Sequence, residues 1–424
     1  MPSSEDFRIH RVGQCGFDSP LDAAVFVEDS EGVLVDATVS GYRKAEGEPP
    51  YLEKAGPRER IFFNPGTSKA ALVTCGGLCP GLNDVIRALV MVLWYRYGVR
   101  GILGLRYGFE GLIASFNHKP LVLTPEVVED IHKDGGTILG TSRGPQDIAL
   151  MVDFLMERKV DMLFTIGGDG TQRGALAITR EIENRGLAIS VIGIPKTIDN
   201  DILFTERTFG FETAVAMSQV PITGAHMEAK GVRNGIGIVK LMGRESGFIA
   251  TYATIGSSDV NLLLIPEVPF SLEKVRAYLE DRIIRKGHAV IVVAEGAGQE
   301  YVPPEGTDAS GNKRLGDIGL FLKRAIAEYF ESRNLPTTVR YIDPSYTIRS
   351  APASSDDSVF CFQLAENAVH AAMSGRTRMI VGIWNSHFVH IPIQIAVKDR
   401  KRVDTSSLLW QSALDSTGQP GNLA

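Results

Sequence analysis

Asp199 and Asp201 lie two residues apart in Pro195-Lys196-Thr197-Ile198-Asp199-Asn200-Asp201, directly after the apolar run 191–194. On an extended backbone their carboxylates share one side. Paired acids beside a hydroxyl and an ammonium make a poor core. Moving a phosphoryl group to an alcohol, by contrast, needs a base for the hydroxyl proton and positive charge around the phosphate. Asp199 is the candidate base, with Asp201 supporting it and Lys196 supplying charge. An Asx-rich turn in which Lys196 neutralises a carboxylate is the competing reading.

Gly167-Gly168-Asp169-Gly170-Thr171 stands where an apolar run gives way to a helical pattern. A helix start offers unpaired N–H groups to phosphate, and glycines let the backbone approach an anion closely. Gly168, Asp169, Gly170 and Thr171 are therefore candidate phosphate-binding residues, and Asp169 is a candidate Mg²⁺ ligand. Thr74 to Asn83, with Gly76 and Gly77, repeats the arrangement after an earlier run. Gly140 to Pro145 adds Arg143 and Gly144, and Arg173 follows Thr171 by two positions. Arginine suits a phosphate of the same nucleotide. Further along, Met242-Gly243-Arg244 and Glu295-Gly296 each follow an apolar run, and Arg340 to Arg349 holds two arginines with Tyr341 and Tyr346. Those residues suit a phosphorylated small molecule.

The elements that must position these groups show in the texture of the chain. Short continuous apolar runs at 70–75, 101–105, 160–166 and 190–194, then at 235–241, 260–265, 288–294 and 379–383, alternate with amphipathic stretches. Runs apolar on both faces and too short for helices predict parallel sheets covered on both sides. The fold class is α/β: two doubly wound domains with largely parallel sheets and the active site between them, plus an N-terminal extension. Thr124-Pro125-Glu126 predicts a helix that closes at Gly135-Gly136, and 173–185 predicts another. Residues up to about Lys69 mix β-like runs (23–27, 32–35) with Gly, Pro and charge, and 303–313 reads as an exposed loop.

At 424 residues the chain suits two to three domains. Its 44 Lys+Arg against 50 Asp+Glu leave a net charge of −6, without the basic excess that holds nucleic acid or an anionic membrane. Partners are expected to be small molecules or further subunits. Four cysteines are few for a disulfide framework, and Cys75 with Cys79 lacks two clustered partner ligands for a metal. No secretory signal opens the chain and no apolar stretch reaches a bilayer span. A cytoplasmic location is expected.

Taken in order, Gly-Gly-Leu-Cys-Pro-Gly-Leu-Asn (76–83), Gly-Gly-Asp-Gly-Thr (167–171), Pro-Lys-Thr-Ile-Asp-Asn-Asp (195–201) and Met-Gly-Arg (242–244) resemble the 6-phosphofructokinase family from about Ala70 to about Gly382. The resemblance implies ATP and fructose 6-phosphate as substrates, Mg²⁺ as cofactor, and a homo-oligomer, commonly a tetramer. By it Asp199 is the proton acceptor, and Thr197, Ile198 and Asp199 contact the sugar. Gly77, Arg143, Gly144, Gly168 to Thr171 and Arg173 form the donor site, with Mg²⁺ at Asp169. Met242, Gly243, Arg244, Glu295, Arg340, Tyr346, Thr347, Ile348 and Arg349 form the sugar-phosphate site, with Arg244 and Lys196 also acting in catalysis. The implied domains are 1–69 as an extension, 70–210 with about 348–390 for the donor, and 211–347 with about 391–424 for the sugar phosphate.

Two departures stand out. Gly235 and Tyr346 occupy positions where the short bacterial members carry arginine and histidine. Donor choice turns on Gly170 and Lys196: diphosphate-dependent members typically carry Asp and Lys there, short ATP-dependent members Gly and Gly, and the long ATP-dependent branch Gly and Lys. Gly170 leaves room for ATP's inner phosphate, so ATP is favoured. A diphosphate-dependent phosphotransferase and a non-catalytic nucleotide-sensing subunit are the alternatives.

Overall fold

The computed structural model describes residues 4–22, 25–44, 47–303, 306–307 and 314–423. Two compact bodies emerge. The first comprises Met1–Thr197, Ile202–Gly210 and Ala351–Asp399, and the second Ile198–Asp201, Phe211–Ser350 and Arg400–Ala424. The chain thus passes between them inside the acidic heptapeptide, after Thr197.

In chain order the first body carries β1 (His10–Arg11), β2 (Phe17–Asp18), β3 (Gly32–Leu34), β4 (Tyr51–Lys54) and β5 (Arg60–Ile61). It continues with β6 (Lys69–Thr74), β7 (Gly101–Leu105), β8 (Leu121–Val122), β9 (Met162–Gly167) and β10 (Ser190–Pro195). The second body holds β11 (Gly235–Leu241), β12 (Leu262–Leu264), β13 (His288–Ala294) and β14 (Thr338–Ile342). Three strands, β15 (Arg376–Thr377), β16 (Met379–Trp384) and β17 (His387–Pro392), again belong to the first.

Among the described residues the main sheet of the first body runs β3-β4-β17-β16-β10-β9-β6-β7-β8. From β16 to β7 every pairing is parallel, while β17, β4, β3 and β8 add antiparallel margins. Every residue of β9 and β10 is buried, as expected where helices cover both faces. Val73, Leu163 and Val191 share a core with Leu155 and Ile178 of the helices Ile148–Arg158 and Asp169–Asn184. The second body has a parallel sheet, β12-β13-β11-β14, packed on a core of Ile236, Ile291, Val293, Val275, Leu279 and Leu322. The expected α/β class with largely parallel sheets is what forms.

Parallel strands end at one edge of a sheet and lead there into helices. In the first body that edge carries the loops after β6, β9 and β10; in the second it carries those after β11, β13 and β14. Most of the chemistry-bearing stretches fall on these loops, whereas 140–145 lies between β8 and the helix Ile148–Arg158. Residues before Lys69 are woven into the first body, since β4 pairs with β17 and β1 with β15.

The helix expected over 124–136 does not form. Thr124 starts a single turn, its Oγ1 accepting from Val127 N–H at 3.4 Å and its carbonyl from Val128 N–H at 3.2 Å. Beyond it stand the β-branched Val127, Val128 and Ile131, which propagate a helix poorly. Asn83 then draws the backbone away, donating to the Asp134 carbonyl and accepting from Ile138 N–H. Only the 3₁₀ turn Ile131–Lys133 remains. The second predicted helix is present but longer, beginning at Asp169. Of the β-like run 23–27, residues 23–24 lie outside the described residues and 25–27 form no strand. Residues 304–305 and 308–313 of the expected loop also lie outside them.

Candidate active site

In the first body three loops are stitched together by short hydrogen bonds. Thr141 Oγ1 donates to the Gly76 carbonyl at 2.6 Å, Gly76 N–H to the Ser142 carbonyl at 3.2 Å, and Thr74 Oγ1 to the Gly140 carbonyl at 2.8 Å. Gly77 faces Arg143, whose Nη2 would lie 3.4 Å from a Cβ at that position. Lys196, only 7 % exposed, reaches from the end of β10 to donate to the Gly77 carbonyl at 2.7 Å. Its own N–H binds the Gly167 carbonyl at 3.0 Å. Lys196 therefore ties the 76–83 loop to the end of β9.

The helix Asp169–Asn184 starts from Gly168, which has no side chain to cap it. The same holds for the helix Leu82–Met91 after Gly81, which sits at φ 98. First-turn N–H groups left without a side-chain cap favour an anion. Gly167 has no room for a Cβ, which would overlap Thr171, whereas a Cβ on Gly170 would meet no atom within 4 Å. Asp169 accepts from Arg173 Nε at 3.0 Å, and Arg173 Nη2 donates to the Val397 carbonyl. The guanidinium of Arg173 thus braces Asp169. Gln172, which the sequence reading missed, is fully buried and donates to the carbonyls of Gly167, Thr165 and Ile194, fixing both strand ends under this helix. A glutamine inside a helical pattern carries no signal of that task.

In the second body the turn Ile198–Asp201 comes together with loops distant in sequence. Arg244 N–H donates to Asp199 Oδ2 at 3.3 Å. Glu295 N–H binds the Leu241 carbonyl at 2.9 Å and Gly296 N–H the Gly243 carbonyl at 3.0 Å, so the Met-Gly-Arg and Glu-Gly loops lie backbone against backbone. Arg349, at the end of the short helix Ser345–Arg349, approaches Glu295 at 3.6 Å. Burial, reinforced by the charges of Asp201 and Glu295, pushes Asp199 up to about 7 against the opposing pull of Arg349 and the Arg244 N–H. A carboxylate near neutrality is a far stronger base than an ordinary aspartate.

Other expected residues take different places. Met242 and Ile348 are buried, at 0 % and 1 % exposure, and leave only backbone to a ligand. Arg340 pairs with Glu228 at 2.9 Å, and Tyr346 stands 85 % exposed. Thr197 accepts from Thr208 Oγ1 at 2.6 Å through its carbonyl. Gly235 is closed to any side chain, because a Cβ would overlap the Ala229 carbonyl. Arg400 and Lys401, contacting Asp201 and Asn200, went unnoticed in the sequence. They lie some 200 positions away, and nothing local marks them.

Glycine-opened helix starts on one parallel sheet are the arrangement of an α/β protein that handles phosphate groups. A sequence model described as Phosphofructokinase matches residues 69–372. The chain belongs to that family. An ATP-dependent 6-phosphofructokinase of Borreliella burgdorferi is 48 % identical over 433 residues, covering 98 % of this chain and 97 % of that protein. One of Entamoeba histolytica is 48 % identical over 408 residues, covering 95 % and 93 %. In fold the chain is similar to a pyrophosphate-dependent phosphofructokinase of Marinobacter aquaeolei, at TM-score 0.69 and 19 % identity over 83 % of this chain and 91 % of that one.

Proposed function

We propose that this protein transfers the terminal phosphoryl group of ATP to the 1-hydroxyl of fructose 6-phosphate, giving fructose 1,6-bisphosphate and ADP in glycolysis. The observation that carries ATP over diphosphate is the open space at Gly170. Neither backbone strain nor packing demands glycine there, since the residue has no positive φ and no neighbour to clash with. Its missing side chain leaves room for a longer donor. Relatives at 48 % identity that are named ATP-dependent support the same reading.

In this reading the first body serves the donor, through 70–197, 202–210 and 351–399, and the second the sugar phosphate, through 198–201, 211–350 and 400–424. Gly77, Arg143, Gly144, Gly168, Gly170 and Thr171 would cradle the donor phosphates, and Lys196 would stabilise charge on the group in transit. Mg²⁺ fits Asp169: the ion is ordinarily held by one or two carboxylates plus substrate phosphates, and Asp169 is a single carboxylate held in place by Arg173. When bound, it would neutralise the donor phosphates. Asp199, oriented by the Arg244 N–H, would accept the proton of the 1-hydroxyl. Arg244, Glu295 and Arg349 would hold the sugar phosphate with Thr197, Ile198 and the Gly243 backbone, and Arg340, Tyr346 and Thr347 would complete that site in a homo-oligomer, a tetramer in this reading. The protein would act in the cytoplasm.

A coupled assay with fructose 6-phosphate, offering ATP and diphosphate separately, tests the donor. Turnover is expected with ATP, and turnover only with diphosphate would reverse the assignment. Gly170→Asp should keep the melting temperature of the parent while losing most ATP-dependent activity. Full ATP use in that variant would remove the steric argument.

A further inference from the structure

The segment Arg400–Val403 lies about 200 residues after the catalytic turn, yet it binds that turn at several points. Arg400 Nη1 donates to Asp201 Oδ2. Lys401 N–H donates to the Asp201 carbonyl at 2.9 Å, and Lys401 Nζ to Asn200 Oδ1 at 3.1 Å. Asp201 and Asn200 are each 4 % exposed, and Asn200 holds φ 56, a left-handed conformation that few residues other than glycine adopt readily. Lys401 and Arg402 also grip the Met-Gly-Arg loop, and Val403 reaches it through Glu267. Ser246 Oγ donates to the Lys401 carbonyl, and Arg402 approaches Glu245 at 3.7 Å. Val403 N–H donates to Glu267 Oε1 at 2.8 Å, while the two oxygens of Glu267 accept from Gly247 N–H at 2.9 and 3.1 Å.

We propose that Arg400–Val403 is a positioning segment of the phosphotransfer site, holding the Asp199 turn in register with the Arg244 loop. Arg400 compensates the Asp201 carboxylate two residues from the base, and Lys401 holds the left-handed residue between them. Asp199 faces Asp201 and Glu295 as anions, and Arg349 and the Arg244 N–H as opposing groups. A small displacement of a reacting group costs orders of magnitude in rate, so the segment should act on turnover rather than on donor binding. This inference rests on the assignment of Asp199 as the base.

The test compares Arg400→Met, Arg400→Lys and Lys401→Met in the full-length protein. In Arg400→Met, kcat is expected to fall about 10- to 100-fold with the KM for ATP within about twofold. The rising limb of kcat/KM against pH should move up by roughly one unit, because Asp201 loses its cation. Loss of fold alone lowers the amount of active enzyme without moving that limb. Arg400→Lys should restore most of kcat and return the limb. An unmoved limb with unchanged kcat overturns the proposal, as does Arg400→Lys behaving like Arg400→Met with the limb in place. If Arg400→Met does not fold, Lys401→Met decides, since it keeps the backbone bonds and the Arg400 contact. Its kcat should drop about 10-fold at a native melting temperature, and parental kcat would overturn the proposal. Asp199→Asn separates the two levels: full turnover there refutes the base assignment, whereas its loss beside normal Arg400 and Lys401 variants refutes only the positioning role.

Discussion

An aspartate at its ordinary pKa is a weak base, and the surroundings of Asp199 make it a stronger one. Burial and the anions Asp201 and Glu295 raise it to about 7, beyond what Arg349 and one backbone N–H take back. Because the proton-accepting form is the ionised one, kcat/KM should rise with pH through an apparent pKa near 7, a value that belongs to the interacting carboxylates together. A pH–rate profile of the free enzyme checks this, and a limb near 4 would mean the carboxyl is solvated in solution. Asp199→Asn should lower kcat by about 10²- to 10⁴-fold, with a much smaller effect on the KM for fructose 6-phosphate.

At the scale of elements, the loops after β11 and β13 lie backbone against backbone. Gly296 lies where any Cβ would overlap the Arg244 carbonyl, and Gly243, at φ 124, would bring one to 2.6 Å from the Ser246 carbonyl. Gly296→Ala must therefore push the Glu295 loop away from Arg244. A loss of about 1–3 kcal/mol in unfolding free energy is expected, with a raised KM for fructose 6-phosphate and an unchanged KM for ATP. Urea denaturation and steady-state kinetics measure the two effects. A variant with parental KM for the sugar would show that the loops are not held by this contact.

For the molecule as a whole, the most consequential polar feature of the first body is a buried ionic cluster joining residues before Lys69 to β15 and β17. Arg376, 1 % exposed, donates to Glu53 and to Asp29, the latter at 2.7 Å. Arg58 meets the same two acids at 3.4 and 3.1 Å, and His390 Nδ1 lies 2.9 Å from Glu53. Burial pushes His390 down to about 4, outweighing the pull of Glu53. Its Nε2 is buried with no hydrogen-bond partner among the described residues, so a second ring proton would point at nothing. For Glu53 burial works the other way, but the His390 bond and the charge of Arg376 prevail and bring it down to about 2.

Both shifts have the same sign for stability. The unfolded chain protonates His390 near 6.5 and the folded one only near 4, so stability is lost as pH falls through that interval. Glu53 adds a second loss between about 4.5 and 2. Each group contributes at most about 1.4 kcal/mol per pH unit within its window. Asp199 works the other way, because its folded carboxyl takes up a proton near 7 and the unfolded one only near 3.8. The test is therefore the parent against His390→Gln. Between pH 7 and pH 5 the urea midpoint of the parent should fall relative to that of the variant, and parallel profiles would refute the neutral buried imidazole. Arg376→Met should destabilise by about 3 kcal/mol, because it takes a buried cation from the largely buried Glu53 and leaves that carboxylate to Arg58 and His390.

The sequence alone determined the α/β class, the family, and the main strands of both parallel sheets except β14 to within two residues. These signals are local: apolar runs set β9 and β10, and glycines ahead of a helical pattern set 167–171. The helix expected at 124–136 shows the limit, since only one turn forms at Thr124 and tertiary bonds from Asn83 draw the chain elsewhere. Tertiary structure alone decided that Met242 and Ile348 are buried, that Arg173 braces Asp169, and that Arg400 and Lys401 contact Asp201 and Asn200. It also decided the basicity of Asp199, because burial and neighbouring charge are sums over residues that meet only in the folded chain.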